Sequence, residues 1–197
     1  MLGIEPRAGE ERLGRLRFVA RKRNGKARDM SGEPITGSAI LDQMAASGIE
    51  FVVSVPDITT SAGLLWPLVH DSRFRLIRVC KEDEGVSICA AMSMCEKRAL
   101  LLIQYTGLLD SINALRAAGC DYKLPVCIMA GLLAKEPGIP PTQSKSFGVR
   151  IVEPILDAMH IPHALLEDSG DEGHIRPAID EAYANSYPTA LLIGRQM

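Results

Sequence analysis

Arg78-Val-Cys-Lys-Glu-Asp-Glu-Gly-Val-Ser-Ile-Cys-Ala-Ala-Met92 joins an apolar run to a run of small residues through four charges. An apolar run from Phe74 to Cys80 reads as a buried strand and ends abruptly in Lys81, Glu82, Asp83 and Glu84. Gly85 follows, then Val86, Ile88, Cys89, Ala90, Ala91, Met92 and Met94, small and apolar residues suited to a core helix reaching about Lys97. Carboxylates therefore stand at a strand-to-helix junction, where the helix macrodipole favours an anion. Acids in a first turn also serve simply as helix starts. The rest of the chain decides between the two readings.

Working outward, the same alternation repeats. Ile40, Leu41, Met44 and Ala45 have helical spacing, and Gly48 closes that helix. Phe51 to Val55 is an apolar strand stopped by Pro56-Asp57, and Leu64 to Val69 is helical. Ala99 to Ile103 is a buried strand, Gln104 to Gly107 a polar turn, and Leu109 to Ala118 a helix. Pro125 to Ala130 is a strand, followed by a long loop, Gly131 to Phe147, with Pro137, Pro140 and Pro141. A loop of that length in a compact domain is usually functional. Val149 to Met159 is a helix, His163 to Leu166 a strand, Gly173 to Ala184 a helix and Thr189 to Ile193 a last strand. Strands apolar on both faces, alternating with helices, predict an α/β fold: a doubly wound parallel sheet covered on both sides, in three layers. Ligands of such sheets bind at the carboxyl ends of the strands, where Pro56-Asp57, Lys81 to Glu84, Gln104 to Gly107 and the 131–147 loop all fall.

Composition narrows the function. The 197 residues fit one domain with an extension, and 47% apolar residues with 23% charged describe a globular chain. Aromatic residues make up only 5%, which argues against a stacking surface for single-stranded nucleic acid. A net charge of -2 gives no reason to expect a polyanionic partner. No apolar run has the length of a membrane span. Cys80, Cys89, Cys95, Cys120 and Cys127 form no CxxC pair and no zinc-like spacing with the four histidines. Their odd number, without a secretion signal, fits a reducing, cytoplasmic setting.

Residues 1–36 differ from the rest, with nine basic against five acidic side chains, so that a segment of net +4 precedes a remainder of -6. With sparse apolar positions it reads as a mobile, basic extension, and residues 37–197 as the folded domain.

The common chemistries of an α/β sheet lack their motifs. No GxGxxG, GxxxxGK[ST] or GxSxG is present. His70, His160, His163 and His174 fall in helix ends or loops and read as solvated. Strand-end carboxylates and amides remain, a set poor in chemistry unless a cofactor does the hard work.

Against that background, Glu84-Gly85 with Ala90-Ala91 resembles the pyrimidine-binding domain of thiamine diphosphate enzymes, in which a glutamate precedes a helix of small residues. Gln104-Tyr-Thr-Gly-Leu-Leu-Asp-Ser-Ile-Asn-Ala-Leu115 resembles the Gln-Asn-Ser-Gly-Leu-Gly-Asn-x-x-Asn-x-Leu signature of sulfopyruvate and phosphonopyruvate decarboxylases. Val55-Pro56-Asp57 and Glu136-Pro137-Gly138 with Gln143 and Gly148 are similar to two of their loops, so the resemblance spans residues 37 to 194. The chain departs from the pattern at Tyr105 and Leu109, which stand for an asparagine and a glycine, and at Gln143-Ser144, where the decarboxylases tend to have Gln-His.

The resemblance implies a thiamine diphosphate-binding fold of pyrimidine-domain type and a 2-oxoacid decarboxylase. Glu84 would activate the cofactor by hydrogen bonding the aminopyrimidine; Glu82 and Asp83 stand beside it, and the small-residue register points to Glu84. Pro56, Thr106, Gly107 and Asn113 would line the pyrimidine or reaction pocket, with Asp57 and Gln143 nearer the substrate. Such enzymes hold the diphosphate and Mg²⁺ on a second domain marked by Gly-Asp-Gly. Here Gly170-Asp-Glu-Gly173 has an extra residue and reads as a helix cap. The chain is therefore expected to be an alpha subunit whose beta, diphosphate-domain partner holds the metal, with no metal ligand of its own. Chain length favours the sulfopyruvate type over phosphonopyruvate decarboxylase, another thiamine diphosphate half-enzyme, or a relic domain that binds only a partner.

Overall fold

The computed structural model describes residues 32–197. The basic extension expected over residues 1–36 lies outside the described residues except for its last five. Of these, Ile35 is buried in the core, its N–H donates to the Glu167 carbonyl at 3.0 Å, and Pro34 bridges Asp168. The folded unit thus takes in residues 33–36.

Helix α1 is Gly37–Ala46, started by the Thr36 hydroxyl accepting from Ala39 N–H at 3.3 Å. It ends ahead of Gly48, whose φ of +73° suits a residue without a Cβ. Then follow β1, Phe51–Ser54; a π-helical turn, Ser61–Leu65, running into α2, Trp66–Val69; and β2, Arg75–Arg78. Helix α3 is Glu82–Met94 and β3 is Ala99–Gln104. Helix α4, Tyr105–Asp110, leaves β3 directly and is followed by α5, Ile112–Leu115, and a π turn, Arg116–Asp121. Strand β4, Cys127–Gly131, leads through the long loop and its 3₁₀ turn, Pro141–Gln143, to α6, Phe147–Ala158. Strand β5, His163–Leu166, a 3₁₀ turn, Asp171–His174, α7, Ile175–Asn185, and β6, Thr189–Ile193, complete the chain.

The six strands form one parallel sheet in the order β2-β1-β3-β4-β6-β5. Alternate residues of each strand face opposite sides. Val52, Leu100 and Leu102 pack on α1, α2 and α7 through Ile40, Met44, Leu68 and Ile179. Val53, Leu101 and Ile103 pack on α3 to α6 through Val86, Leu108, Leu115 and Val152. Each such aliphatic side chain contributes about 1.5–3 kcal/mol on burial. These layers are those expected from the sequence and are consistent with a thiamine diphosphate-binding fold.

Two local expectations are corrected. The polar turn expected at Gln104–Gly107 is the start of a helix, held there by tertiary packing: a Cβ on Gly148 would meet the Tyr105 ring at 2.6 Å, so that ring packs closely against α6. The single helix expected from Leu109 to Ala118 is divided at Ser111, the buried residue between α4 and α5.

Candidate active site

Strand order reverses between β1 and β3: the chain passes outward from β1 to β2, and in the opposite direction from β3 to β4. Such a reversal opens a crevice at the carboxyl ends of the two strands. The first turn of α3 overhangs it because α3 packs closely on both strands. A Cβ on Gly85 would sit 2.4 Å from Leu101 Cδ1 and 3.4 Å from Val53 Cγ1, so glycine sets how close the helix comes.

The three acids of that turn point in different directions. Glu84 Oε2 accepts from Cys80 N–H at 3.2 Å and Lys81 N–H at 3.3 Å, the reaching-back half of a capping box. Asp83 Oδ1 accepts from Glu84 N–H at 3.0 Å, and its Oδ2 lies 3.8 Å from Lys81 Nζ. That ammonium is also 3.9 Å from Asp110 Oδ2, and these exposed contacts are worth little. Glu82 lies against Gly107 at the end of β3, where a Cβ would be 2.2 Å from its Oε1. Beside it the Thr106 hydroxyl donates to Gln104 Oε1 at 2.9 Å. Behind the turn, burial pushes the Cys89 thiol up to about 12 and Cys127 higher still, so neither is a nucleophile at neutral pH.

Asp57 is buried and committed to its own loop. Its Oδ1 accepts from Thr59 N–H at 2.5 Å and Thr60 N–H at 3.2 Å, and its Oδ2 from the Thr60 hydroxyl. This cap starts the π turn and places the carboxylate on Gly131, where a Cβ would meet Oδ1 at 2.8 Å. Pro56, just before it, is exposed. Asn113 is exposed on α5, its carboxamide oxygen accepting from Arg116 Nε at 3.2 Å and Nη2 at 3.1 Å. Gln143 is exposed in the 3₁₀ turn of the long loop. The crevice therefore gathers Glu82, Thr106 and Gly107. Glu84 and Asp57 border it with their carboxylates turned to backbone N–H groups, and Asn113 binds its own helix.

The long loop is fastened by Glu136, part of the loop motif in the sequence, and by Lys135 and Glu167, for which the sequence holds no signal. Glu136 accepts from the Ser144 hydroxyl at 2.7 Å and Lys145 N–H at 3.0 Å, which hold its carboxyl below the usual range. Lys135 Nζ is buried, donating to the Glu136 carbonyl at 3.0 Å and to the Glu167 carboxylate. At Gly170-Asp-Glu-Gly173, Asp171 Oδ2 accepts from Glu167 and Asp168 N–H, each at 2.9 Å, and starts a 3₁₀ turn. No group of three metal-ligating side chains occurs among the described residues. No helix among them is long and apolar enough to cross a membrane.

The fold is that of a doubly wound α/β protein with carboxylates gathered at its β1/β3 switch point. No protein-family model matches the chain. It is similar to the sulfopyruvate decarboxylase subunit alpha of Methanocaldococcus jannaschii, 28% identical over 156 residues that cover 78% of this chain and 90% of that one. The subunit alpha of Methanococcus maripaludis is 34% identical over 100 residues, 51% of this chain and 57% of the relative. A sulfopyruvate decarboxylase of Methanosarcina acetivorans is 33% identical over 91 residues, 46% of this chain and 23% of that longer one. The chain thus spans little more than half of one of these relatives and about a quarter of another.

Proposed function

We propose that this chain is the pyrimidine-domain, alpha subunit of a thiamine diphosphate-dependent decarboxylase that converts sulfopyruvate to sulfoacetaldehyde and CO₂. The observation that carries this reading is the similarity to a sulfopyruvate decarboxylase subunit alpha along 90% of that relative's length. The Methanosarcina acetivorans relative supports the need for a partner, since most of that longer chain lies outside the match.

The crevice fits the pyrimidine half of the cofactor. It offers carboxylates for a ring nitrogen and an exposed hydroxyl at Thr106, with the Glu82 side chain seated on Gly107. When bound, thiamine diphosphate would supply the electron sink that 2-oxoacid decarboxylation requires. This chain's residues would bind and orient the pyrimidine, and the acidic turn of α3 would hold a proton at its ring nitrogen. Pro56, Thr106 and Gly107 would form the walls. Asp57 would act by fixing the 56–60 loop, and the exposed carboxamide of Gln143 would face the substrate. Mg²⁺ and the diphosphate are assigned to the beta subunit.

The test is CO₂ release from sulfopyruvate with thiamine diphosphate and Mg²⁺, comparing the chain alone with the chain co-expressed with its diphosphate-domain subunit. Activity in the pair alone is expected. Release by the isolated chain, or silence with sulfopyruvate and turnover of phosphonopyruvate, overturns the reading.

A further inference from the structure

Resting on that reading, we propose that Gln104, with Thr59 beside it, is the specificity-determining contact for the substrate's sulfonate. Gln104 is the last residue of β3, at the carboxyl edge of the switch-point crevice. Its carboxamide oxygen accepts from the Thr106 hydroxyl at 2.9 Å, which fixes the group from one side. Its two N–H donors make no hydrogen bond with the described residues, although the side chain is half-buried. Gln104 pairs in register with Gly131 on β4, so the two residues face the same side of the sheet. Thr59 packs against that glycine: a Cβ on Gly131 would lie 2.7 Å from Thr59 Cβ. The Thr59 hydroxyl is buried and has no hydrogen-bond partner among the described residues. A buried hydroxyl in that state marks a place that a further group completes.

Asp57 does not take up these donors, because it is already served. Its carboxylate accepts from Thr59 N–H, Thr60 N–H and the Thr60 hydroxyl. Lys81, the ammonium on the acidic turn, lies between Asp83 and Asp110. An anionic substrate entering a crevice bordered by Glu82, Glu84 and Asp57 therefore meets open donors at Gln104 and Thr59. The sulfonate is the group that suits them. The substrate's carboxylate leaves as CO₂, and holding it firmly would favour the ground state over the transition state. The sulfonate stays attached throughout, so donors to it bind ground state and transition state alike. Two neutral donors serve its oxygens without the cost of desolvating a cation. They also reject a 2-oxoacid without the sulfonate, which would leave both donors unpaired.

The experiment uses the full chain co-expressed with the diphosphate-domain subunit of the same organism, as wild type and as Gln104→Met, Gln104→Ala and Thr59→Val. Methionine and valine keep the size of the side chains they replace, and the alanine variant stands in should Gln104→Met fail to assemble. KM and kcat for sulfopyruvate are measured by CO₂ release, together with inhibition by ethanesulfonate, which carries the sulfonate alone. Thermal unfolding and retention of thiamine diphosphate verify assembly. Gln104→Met is expected to raise KM about tenfold or more while kcat moves by less than about threefold, because a contact made equally in both states acts on KM. Thr59→Val is expected to raise KM in the same way and to unfold no earlier than wild type. Ethanesulfonate should inhibit each variant more weakly by the factor seen in its KM. An unchanged KM in both Gln104 variants, or a fall in kcat at unchanged KM, overturns the assignment. So does a raised KM with ethanesulfonate inhibiting wild type and variant alike, which places Gln104 on the carboxylate. Each of these results leaves the decarboxylase reading intact. A wild-type pair that binds thiamine diphosphate and releases no CO₂ from sulfopyruvate overturns both.

Discussion

The ammonium of Lys135 has no exposed surface and donates to the carboxylate of Glu167, itself 3% exposed. The pair joins the loop after β4 to the end of β5, across β6. Removing one member of a buried pair is severe because it strands the other charge. Glu167→Gln, which takes the carboxylate from the buried Lys135 ammonium, should therefore cost about 3–5 kcal/mol, and Lys135→Met with Glu167→Gln should recover most of it. Urea unfolding of the two singles and the double, read as a cycle, checks this. Additive losses would show that the pair is not coupled.

Glu136 gives the same loop a dependence on pH. Hydrogen bonds from the Ser144 hydroxyl and Lys145 N–H hold its carboxyl below the ordinary value of 4.5. A depressed folded value means that the stabilisation is complete above 4.5, and is lost as pH falls through the lower folded value. Limited proteolysis within residues 131–147 should accelerate over that acid range. In Glu136→Gln the loop should be equally susceptible across it. A wild-type loop that stays resistant through the acid range would remove Glu136 as its latch.

Much of this was readable from the chain, and the residues that were not share a cause. Strand β6 runs over Thr189–Ile193, the range its apolar run marks, because a strand buried on both faces has little sequence freedom, and the edge strand β5 keeps its expected range, His163–Leu166, with alternate residues buried. The crevice followed from where the polar turns fall. The start of α4 was hidden because Thr106-Gly107 has turn propensity, which the packing of Glu82 on Gly107 and Tyr105 on Gly148 overrides. The engagement of Glu84 with the backbone was hidden for a related reason. A capping box is recognised by a Ser or Thr three residues before its glutamate. Here that position is Lys81, so nothing in the sequence marks Glu84 as engaged with the backbone.

Ser111 tests the break between α4 and α5. Its hydroxyl is fully buried and has no hydrogen-bond partner among the described residues. An unpaired buried hydroxyl costs about 1–3 kcal/mol, so Ser111→Ala should stabilise the protein by about 1 kcal/mol. For a chain of this size that raises Tm by about 2–4 °C. A lower Tm by calorimetry would mean that the hydroxyl has a bound partner.

Two glycines give the last prediction, because one substitution should act in opposite ways at each. At Gly85 an added methyl would meet Leu101 Cδ1 at 2.4 Å in a packed core. Gly85→Ala should lift α3 from the sheet at a cost of about 1–3 kcal/mol. At Gly107 the methyl would meet the far end of the Glu82 side chain, which can swing away. In a helical turn alanine is favoured over glycine by about 0.5–1 kcal/mol, so Gly107→Ala should unfold no earlier than wild type. The methyl and the displaced Glu82 would then reshape the wall proposed for the pyrimidine, and decarboxylation by the assembled pair should fall at least tenfold (about 1.4 kcal/mol in the barrier). Thermal unfolding and CO₂ release, measured on both variants, separate the two effects. Equal loss of stability at both positions would mean that Glu82 is held as rigidly as the core.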